Sequence, residues 1–366
     1  MKLQVGRNEL LTALQAVIGV VERRQTLPIL SNFLLETRDD ELIVTATDLE
    51  IELESRARVQ NLAPGRATLP ARKLYDICRG LPEGAEITLE TSGEKAVMKS
   101  GRSRYSLACL KAEEFPALGG LKEGQTLTLN KNALKNLIER TQFAMAQQDV
   151  RYYLNGTLFD INAKRVRAVA TDGHRLALSE LQVDTGISEP QQIIVPRKAI
   201  LELLRLLDNS DNPITLRIGG GQLQADLDVI RMTSKLIDGR FPDYERVVPE
   251  KGDKRLQANR ELVRRALSRT AILSNEKFRG VRLQLEGSRL VLQTHNPEHE
   301  EAEEELEVEF SGTALEIGFN VNYLLDALGA LSSEEFIMDL KNADSSGLIQ
   351  AQDDPSSKYV VMPMRL

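Results

Sequence analysis

The chain has 366 residues, 42% apolar and 28% charged, the balance of a soluble globular protein and not of a disordered one. At roughly 100–200 residues per domain, that length predicts two or three domains. Lys and Arg number 47 against 54 Asp and Glu, a net charge of −7, so nucleic-acid or membrane binding has to rest on segregated charge. Two cysteines, Cys78 and Cys109, cannot form a disulfide framework or a cysteine-built zinc site. Arg7, Asn8 and Glu9 break what would be a signal peptide's apolar core. Apolar runs such as residues 14–21 stop short of the ~18 residues a membrane span needs. The chain reads as cytosolic.

Along the chain the same order of elements recurs three times. An apolar-periodic segment predicts a helix at residues 8–21, 132–145 and 259–273, with Leu10, Leu14, Val17 and Val21 on one face of the first. Strand-like stretches follow at 33–36 and 41–47, at 156–159 and 165–171, and at 281–285 and 289–294. A second short helix is predicted at 71–81, 196–207 and 320–331, and further strands close each copy. The anchors of the alignment are TATDLE, VATDGHR and QTHNPE, whose Asp48, Asp172 and Asn296 stand 124 residues apart in both steps. So long a repeat makes each copy a domain rather than a solenoid unit. Turn-rich and charged stretches at 119–122 and 249–253 set the domains at 1–122, 123–250 and 251–366. Each reads as an α+β domain with two helices packed on a sheet.

Four of the six predicted helices carry charge opposite to the chain total; residues 8–21 hold no basic residue but run into Arg23-Arg24, and the 320–331 segment is not basic. Residues 71–80 hold Arg72, Lys73 and Arg79 against Asp76, and 131–140 hold Lys131, Lys135 and Arg140 against Glu139. Residues 196–207 hold Arg197, Lys198 and Arg205 against Glu202, and 259–270 hold Arg260, Arg264, Arg265 and Arg269 against Glu261. Solvated helix faces often look like this. Equivalent helices of repeated domains would also assemble one cationic surface, which suits phosphate contact without sequence readout. No zinc finger, basic zipper or groove-reading helix motif is present.

Motifs for chemistry are missing: there is no P-loop, GxSxG elbow, HExxH or GxGxxG. His295 and His299 are four apart, but Pro297 lies between them, which argues against a helical metal site. Asp172-Gly173-His174-Arg175 is the most enzyme-like cluster, yet its repeat counterparts do not keep the chemistry, and an Asx residue after a strand is usually a turn-maker. Cys78 shares a helical face with Leu74, Ile77 and Leu81 and reads as core. The acid run at 298–309 is either a solvated face or an interface complementary to Lys95, Lys99, Arg102 and Arg104. Tyr152 and Tyr153, beside Gln147, Gln148 and Arg151, are packed strand-start tyrosines or stacking groups for DNA.

The stretches TLPILSN, ARKLYDICRGLPEGAEI, QDVRYYLNG, VATDGHRLAL, TSKLIDGRFPDYERV, AILSNEKFRGVRL and YVVMPMRL closely resemble the bacterial DNA polymerase III beta subunit, the sliding clamp family, from residue 1 to residue 366. The resemblance implies three similar domains per chain, each two helices on antiparallel sheets. It implies a head-to-tail homodimer closing a six-domain ring around duplex DNA, held without sequence specificity. It further implies no catalysis, cofactor, metal or membrane. The partners would be a clamp-loader ATPase, the replicative polymerase, and other polymerases and repair proteins carrying a clamp-binding peptide.

Matched residue by residue, the partner-peptide pocket falls on Leu154, Thr171, Gly173, His174, Arg175, Leu176, Pro242, Arg246, Val247, Ser346, Val360, Val361, Met362, Pro363, Met364, Arg365 and Leu366. Asp344 stands where the family pattern has an apolar residue. His174 and Arg175 would donate hydrogen bonds at the rim. DNA contacts fall on Arg24, Arg72, Gln148, Tyr152, Tyr153 and Lys198. The dimer interface sets Tyr105 and Leu107 against Ile272 and Leu273, with Lys73, Arg102 and Arg104 facing Glu298, Glu300, Glu301, Glu303 and Glu304. Two other readings stay open from the residues alone: a carboxylate-dependent nuclease or phosphatase using Asp172, His174 and the acids at 298–304, and a DNA-binding scaffold that is not a ring. Composition also leaves room for a two-domain chain forming a trimer, against which the repeat count argues.

Overall fold

The computed structural model describes residues 1–21, 27–121, 123–250 and 252–365. Six α-helices lie among them: α1 (Arg7–Val17), α2 (Ala71–Gly80), α3 (Lys131–Glu139), α4 (Arg197–Leu206), α5 (Arg260–Thr270) and α6 (Val321–Ala330). Each overlaps a segment whose apolar spacing predicts it. The first helix of each repeat is shorter than the spacing suggests and ends in a 3-10 turn, at Ile18–Val20, Gln142–Ala144 and Ala271–Leu273. In two of them a threonine explains the stop. Thr141 and Thr270 donate their hydroxyls to the carbonyls of Leu137 (3.0 Å) and Ala266 (2.9 Å), competing with the helical ladder. Asn259 and Asn320 cap α5 and α6 by accepting backbone N–H groups.

The chain folds into two compact units, Met1–Asn132 with Leu201–Leu236, and Ala133–Ile200 with Ile237–Leu366. Each unit is built on one long antiparallel sheet that crosses a repeat boundary. In the first unit an eight-stranded sheet pairs Ile230–Lys235 with Ile51–Arg58, Met232 opposite Leu53. In the second a nine-stranded sheet pairs Ser357–Val361 with Arg175–Gln182, Tyr359 opposite Ala177. Leu53 and Ala177 occupy the same repeat position. Both joints therefore use the same two strands: the closing strand of one repeat and the strand after the Asx turn of the repeat before it.

Two smaller sheets keep the remaining copies of those strands at their edges. The five-stranded sheet of the first unit ends on Ser103–Ala108, and the four-stranded sheet of the second ends on Glu301–Glu307. The sequence predicts the strands; it does not predict sheets that run across repeats, because such pairing is long-range and depends on edges that periodicity cannot rank.

Leu10, Leu14 and Val17 of α1 and Leu74 and Cys78 of α2 are buried. Burial pushes the Cys78 thiol up to about 11, consistent with a core residue. No helix among the described residues is long and apolar enough to cross a membrane.

Candidate functional site

A tight turn in the second unit builds the centre of the predicted pocket. The Thr171 hydroxyl donates to the Arg175 carbonyl (2.6 Å) and accepts from the Gly173 N–H (3.1 Å). Asp172 Oδ1 accepts from the N–H groups of His174 and Arg175 at 2.9 and 3.0 Å, and Oδ2 from Arg175 Nε at 3.1 Å. Gly173 sits at φ +88, where an L side chain is strained. Both Asp172 oxygens are spent holding the turn, so the carboxylate is a turn cap and not a base poised over a substrate.

Arg175, an expected rim donor, is bonded within the chain. Its Nη1 binds Asp326 at 2.5 Å and its Nη2 the Phe143 carbonyl at 2.7 Å. Its guanidinium lies over the rings of Phe143 and Tyr323, 5.4 and 4.5 Å from their centroids. With Nε, Nη1 and Nη2 each bonded, Arg175 orients the turn, and His174 beside it is exposed. Tyr323 and Asp326 were missed in the sequence; they lie three apart on one face of α6, a helix legible there only by its leucines.

Beneath the turn, Leu154, Leu176 and Val360 are buried in one cluster with Leu158, Val169, Phe241 and Tyr244, and Val247 leans on its side. Pro242 and Arg246 are exposed beside it, and Arg246 pairs with Asp243 at 2.9 Å. Val361 is buried in its strand, opposite Arg175 and Gly347. Met362 is 37% exposed and donates its N–H to the His174 carbonyl at 2.9 Å. Pro363 and Ser346 are half-buried, and Asp344 is exposed in a turn that Asn342 caps. Met364 N–H donates to the Gly318 carbonyl (2.9 Å). Met364 and Arg365 line a separate cavity of about 870 Å³ with Phe278, Arg282, Gln293 and His295. Leu366 lies outside the described residues.

The polar–aromatic loop borders this site. Asp149 accepts from Arg151 N, Nε and Nη2 at 2.8–3.0 Å, which holds its carboxyl down at about 2. Arg151 Nη2 also reaches the Asp172 carbonyl at 3.3 Å, tying loop to turn. Gln148, at φ +57, is exposed, and Tyr152 is 57% exposed and edge-on to Tyr153, their centroids 5.9 Å apart. Tyr153 itself packs on the apolar cluster, so only Tyr152 of the pair offers an open ring face.

Of the other expected DNA contacts, Lys198 is half-buried on α4, and Arg72 donates Nη2 to the Val21 carbonyl at 2.7 Å. Arg24 lies outside the described residues. Several helix cations also prove to be structural. Lys131 is 4% exposed and pairs with Asp228 at 2.8 Å. Arg205 donates to the carbonyl of Ala16, and Arg260 to those of Leu328 and Ser333, satisfying groups that helix ends leave open.

At the two open edges, the strand Glu301–Glu307 turns Glu301, Glu303, Glu305 and Glu307 outward. Ser103–Ala108 exposes Arg104 and half-buries Tyr105. Lys73, Arg102, Glu298 and Glu300 are exposed. Ile272 is 75% exposed and Leu273 half-buried. Two expected interface residues are engaged within the chain. Leu107 is 7% exposed, opposite the buried Ala96 in its own sheet. Glu304 is taken by Arg269 of the same chain, in a two-pronged pair at 2.6 and 2.7 Å that lowers its pKa.

Profiles of the N-terminal, central and C-terminal domains of the DNA polymerase III beta subunit match residues 1–119, 128–243 and 245–365. The curated beta sliding clamp of Escherichia coli K12 is 51% identical over 367 residues, covering 100% of both chains. A Pseudomonas aeruginosa DNA polymerase sliding clamp, solved with ligand, superposes with a TM-score of 0.97 at 49% identity and full coverage of both chains. A second sliding clamp from that organism, solved bound to griselimycin, gives 0.96 at 50%, again with full coverage of both. The chain belongs to the DNA polymerase III beta subunit family, the beta sliding clamps: accessory processivity factors of DNA replication, with no catalytic activity of their own.

Proposed function

We propose that two copies of this chain join head to tail through their open edges, Ser103–Ala108 of one against Glu301–Glu307 of the other. The ring so closed slides on duplex DNA and tethers the replicative polymerase. The observation that carries this is the repeated joint. Both sheet crossings within the chain pair the same two strands, and one copy of each is left unpaired. Carrying the register forward puts Tyr105 opposite Ala302 and Arg104 opposite Glu303. The internal counterpart of that second pair is Arg231 with Glu54, 3.8 Å apart. A heterologous contact that reproduces a joint already used twice closes into a ring when each joint turns the chain by a sixth of a circle. Three repeats at 1–122, 123–250 and 251–366 give six around the ring, and Ile272 and Leu273 would flank the seam.

Retention is then topological, so the contacts with phosphate can be few and weak. Arg24, Arg72, Gln148, Tyr152 and Lys198 suit that role, with Lys and Arg giving sequence-independent attraction. The surface around Leu154, His174, Leu176, Pro242, Val247 and Met362 takes a short extended peptide from the polymerase, the clamp loader or a repair protein in turn. Such work places the chain in the cytoplasm, where bacterial DNA is copied.

The test is release. A Tyr105→Cys, Ala302→Cys variant oxidised after loading on a nicked circle should give a covalent dimer that survives high salt and leaves only when the circle is cut. Loss on adding salt, from dimers shown to be cross-linked, overturns the ring in favour of a scaffold that grips.

A further inference from the structure

We propose that Tyr244 is the positioning residue of the peptide pocket: its ring and hydroxyl dock the segment 241–248, and so fix the wall made by Pro242, Arg246 and Val247. The inference rests on the pocket reading above and adds to it the group that holds the pocket's shape. Two rows of side chains run side by side on one face of the nine-stranded sheet. Leu158, Val169 and Leu178 form an apolar row across three strands, and Asp160, Arg167 and Glu180 form a charged row one step along. Tyr244, 4% exposed, bridges them, its ring in the apolar cluster and its hydroxyl at the charged row.

The hydroxyl donates to Asp160 Oδ2 at 2.5 Å and accepts from Arg167 Nη1 at 2.8 Å. Glu180 in turn holds Arg167 through Nε and Nη2 at 2.9 and 2.6 Å. Burial, then the bond to Asp160, pushes the phenol up to about 12, so it remains a donor at neutral pH. On the main chain, the Tyr244 carbonyl accepts from the N–H groups of Val247 and Val248 at 3.1 and 3.2 Å. One residue thus anchors the segment and shapes the bend that presents Arg246 and Val247. The first repeat has Leu118 at the matching step after its own Phe-Pro, and there the backbone N–H is held by Glu52 instead. The anchor occurs in the copy that has the pocket.

The test uses the full-length dimer and a fluorescein-labelled peptide from the C-terminus of the cognate replicative polymerase. Tyr244→Phe keeps the ring and removes the hydroxyl. It should weaken peptide binding by up to about tenfold, as far as the wall segment leaves its docked position once the bond is gone, mostly through faster dissociation. The amides of Val247 and Val248 should exchange faster with deuterium and the unfolding midpoint should fall by about 2–4 °C, while the dimer mass does not move. Asp160→Asn, which still accepts, should bind within about twofold of wild type on the same reasoning. Asp160→Ala should match Tyr244→Phe, and the double variant should be no worse than either alone. Unchanged dissociation in Tyr244→Phe, additive losses, or a loss that merely follows the unfolding midpoint overturns the proposal. Met362→Glu separates the two levels: if it binds peptide normally, the pocket reading is wrong; if it abolishes binding while Tyr244→Phe does not affect it, the anchor alone is wrong.

Discussion

The turns after the third strand of the first and second repeats share one backbone and serve opposite ends. Thr47 and Asp48 make the same four bonds as Thr171 and Asp172: hydroxyl to carbonyl at 2.8 and 2.6 Å, N–H to hydroxyl at 3.1 Å in both, and two N–H groups to Oδ1 at 2.7–3.0 Å. The second residue past each threonine lies at positive φ, Leu49 at +77 and Gly173 at +88. What differs is the side chains. In the first repeat Leu49 leans on a cluster of Ile29, Leu30, Leu34, Ala112 and Phe115, and Ile51 is fully buried. In the second, Gly173 carries no side chain and lies against the Arg151 guanidinium, and Arg175 replaces Ile51. The turn is scaffold; the two exchanged residues change what its side chains cover.

Arg175→Ala is expected to break the comparison most. It removes the side-chain partner of Asp172 and of the half-exposed Asp326, and takes the cation from beside Phe143 and Tyr323. With its side chain 13% exposed, the loss should cost about 2–4 kcal/mol in denaturant unfolding and abolish peptide binding. Arg175→Lys should recover little, because an ammonium cannot meet three partners in one plane and stack as well. A variant of wild-type stability would return Arg175 to the rim.

Gly173→Leu imports the first repeat's residue and should cost less. A Cβ there meets the Arg151 guanidinium nitrogens at 3.0 Å, on a backbone L residues rarely adopt. We expect about 1–3 kcal/mol of destabilisation and at least about a tenfold loss of peptide affinity, the leucine covering the apolar floor as Leu49 does in the first repeat. Unchanged affinity by fluorescence anisotropy would mean that the glycine serves the turn and not the opening.

These residues also mark how far the sequence was legible. Helices and strands could be read because 3.6- and 2-residue periods are local, and the three Asx anchors exposed the repeat. The turn-maker reading of Asp172 agrees with Asp48, which keeps the same turn without the histidine. The Arg175 sandwich was not legible, since Phe143, Asp172, Tyr323 and Asp326 come together only in three dimensions. The cationic helix faces were overread: Lys131, Arg205 and Arg260 carry the expected charge but spend it on Asp228 and on open helix ends. Composition records a charge, never its partner. The sheets crossing repeat boundaries were invisible for the same reason, although the edges they leave open carry Arg104 and Glu303, legible as complementary runs.

Leu49→Gly is the reverse exchange and should change least, because three contributions oppose one another. Relieving a non-glycine residue at φ +77 is worth about 1–2 kcal/mol. Against it stand the loss of a half-buried leucine, about 1 kcal/mol, and the added freedom of glycine in the unfolded chain, about 0.5–1 kcal/mol. The sum lies within about 1 kcal/mol of zero, a shift of roughly 2–4 °C at most in the unfolding midpoint for a unit of this size. Peptide binding should not appear at the first repeat, since Ile51 has no counterpart to the Arg175 bonds and Leu118 none to the Tyr244 anchor. A Leu49→Gly variant that captured labelled polymerase peptide at a second site would show that one opened position suffices, and that the arginine and tyrosine refine a surface the turn already provides.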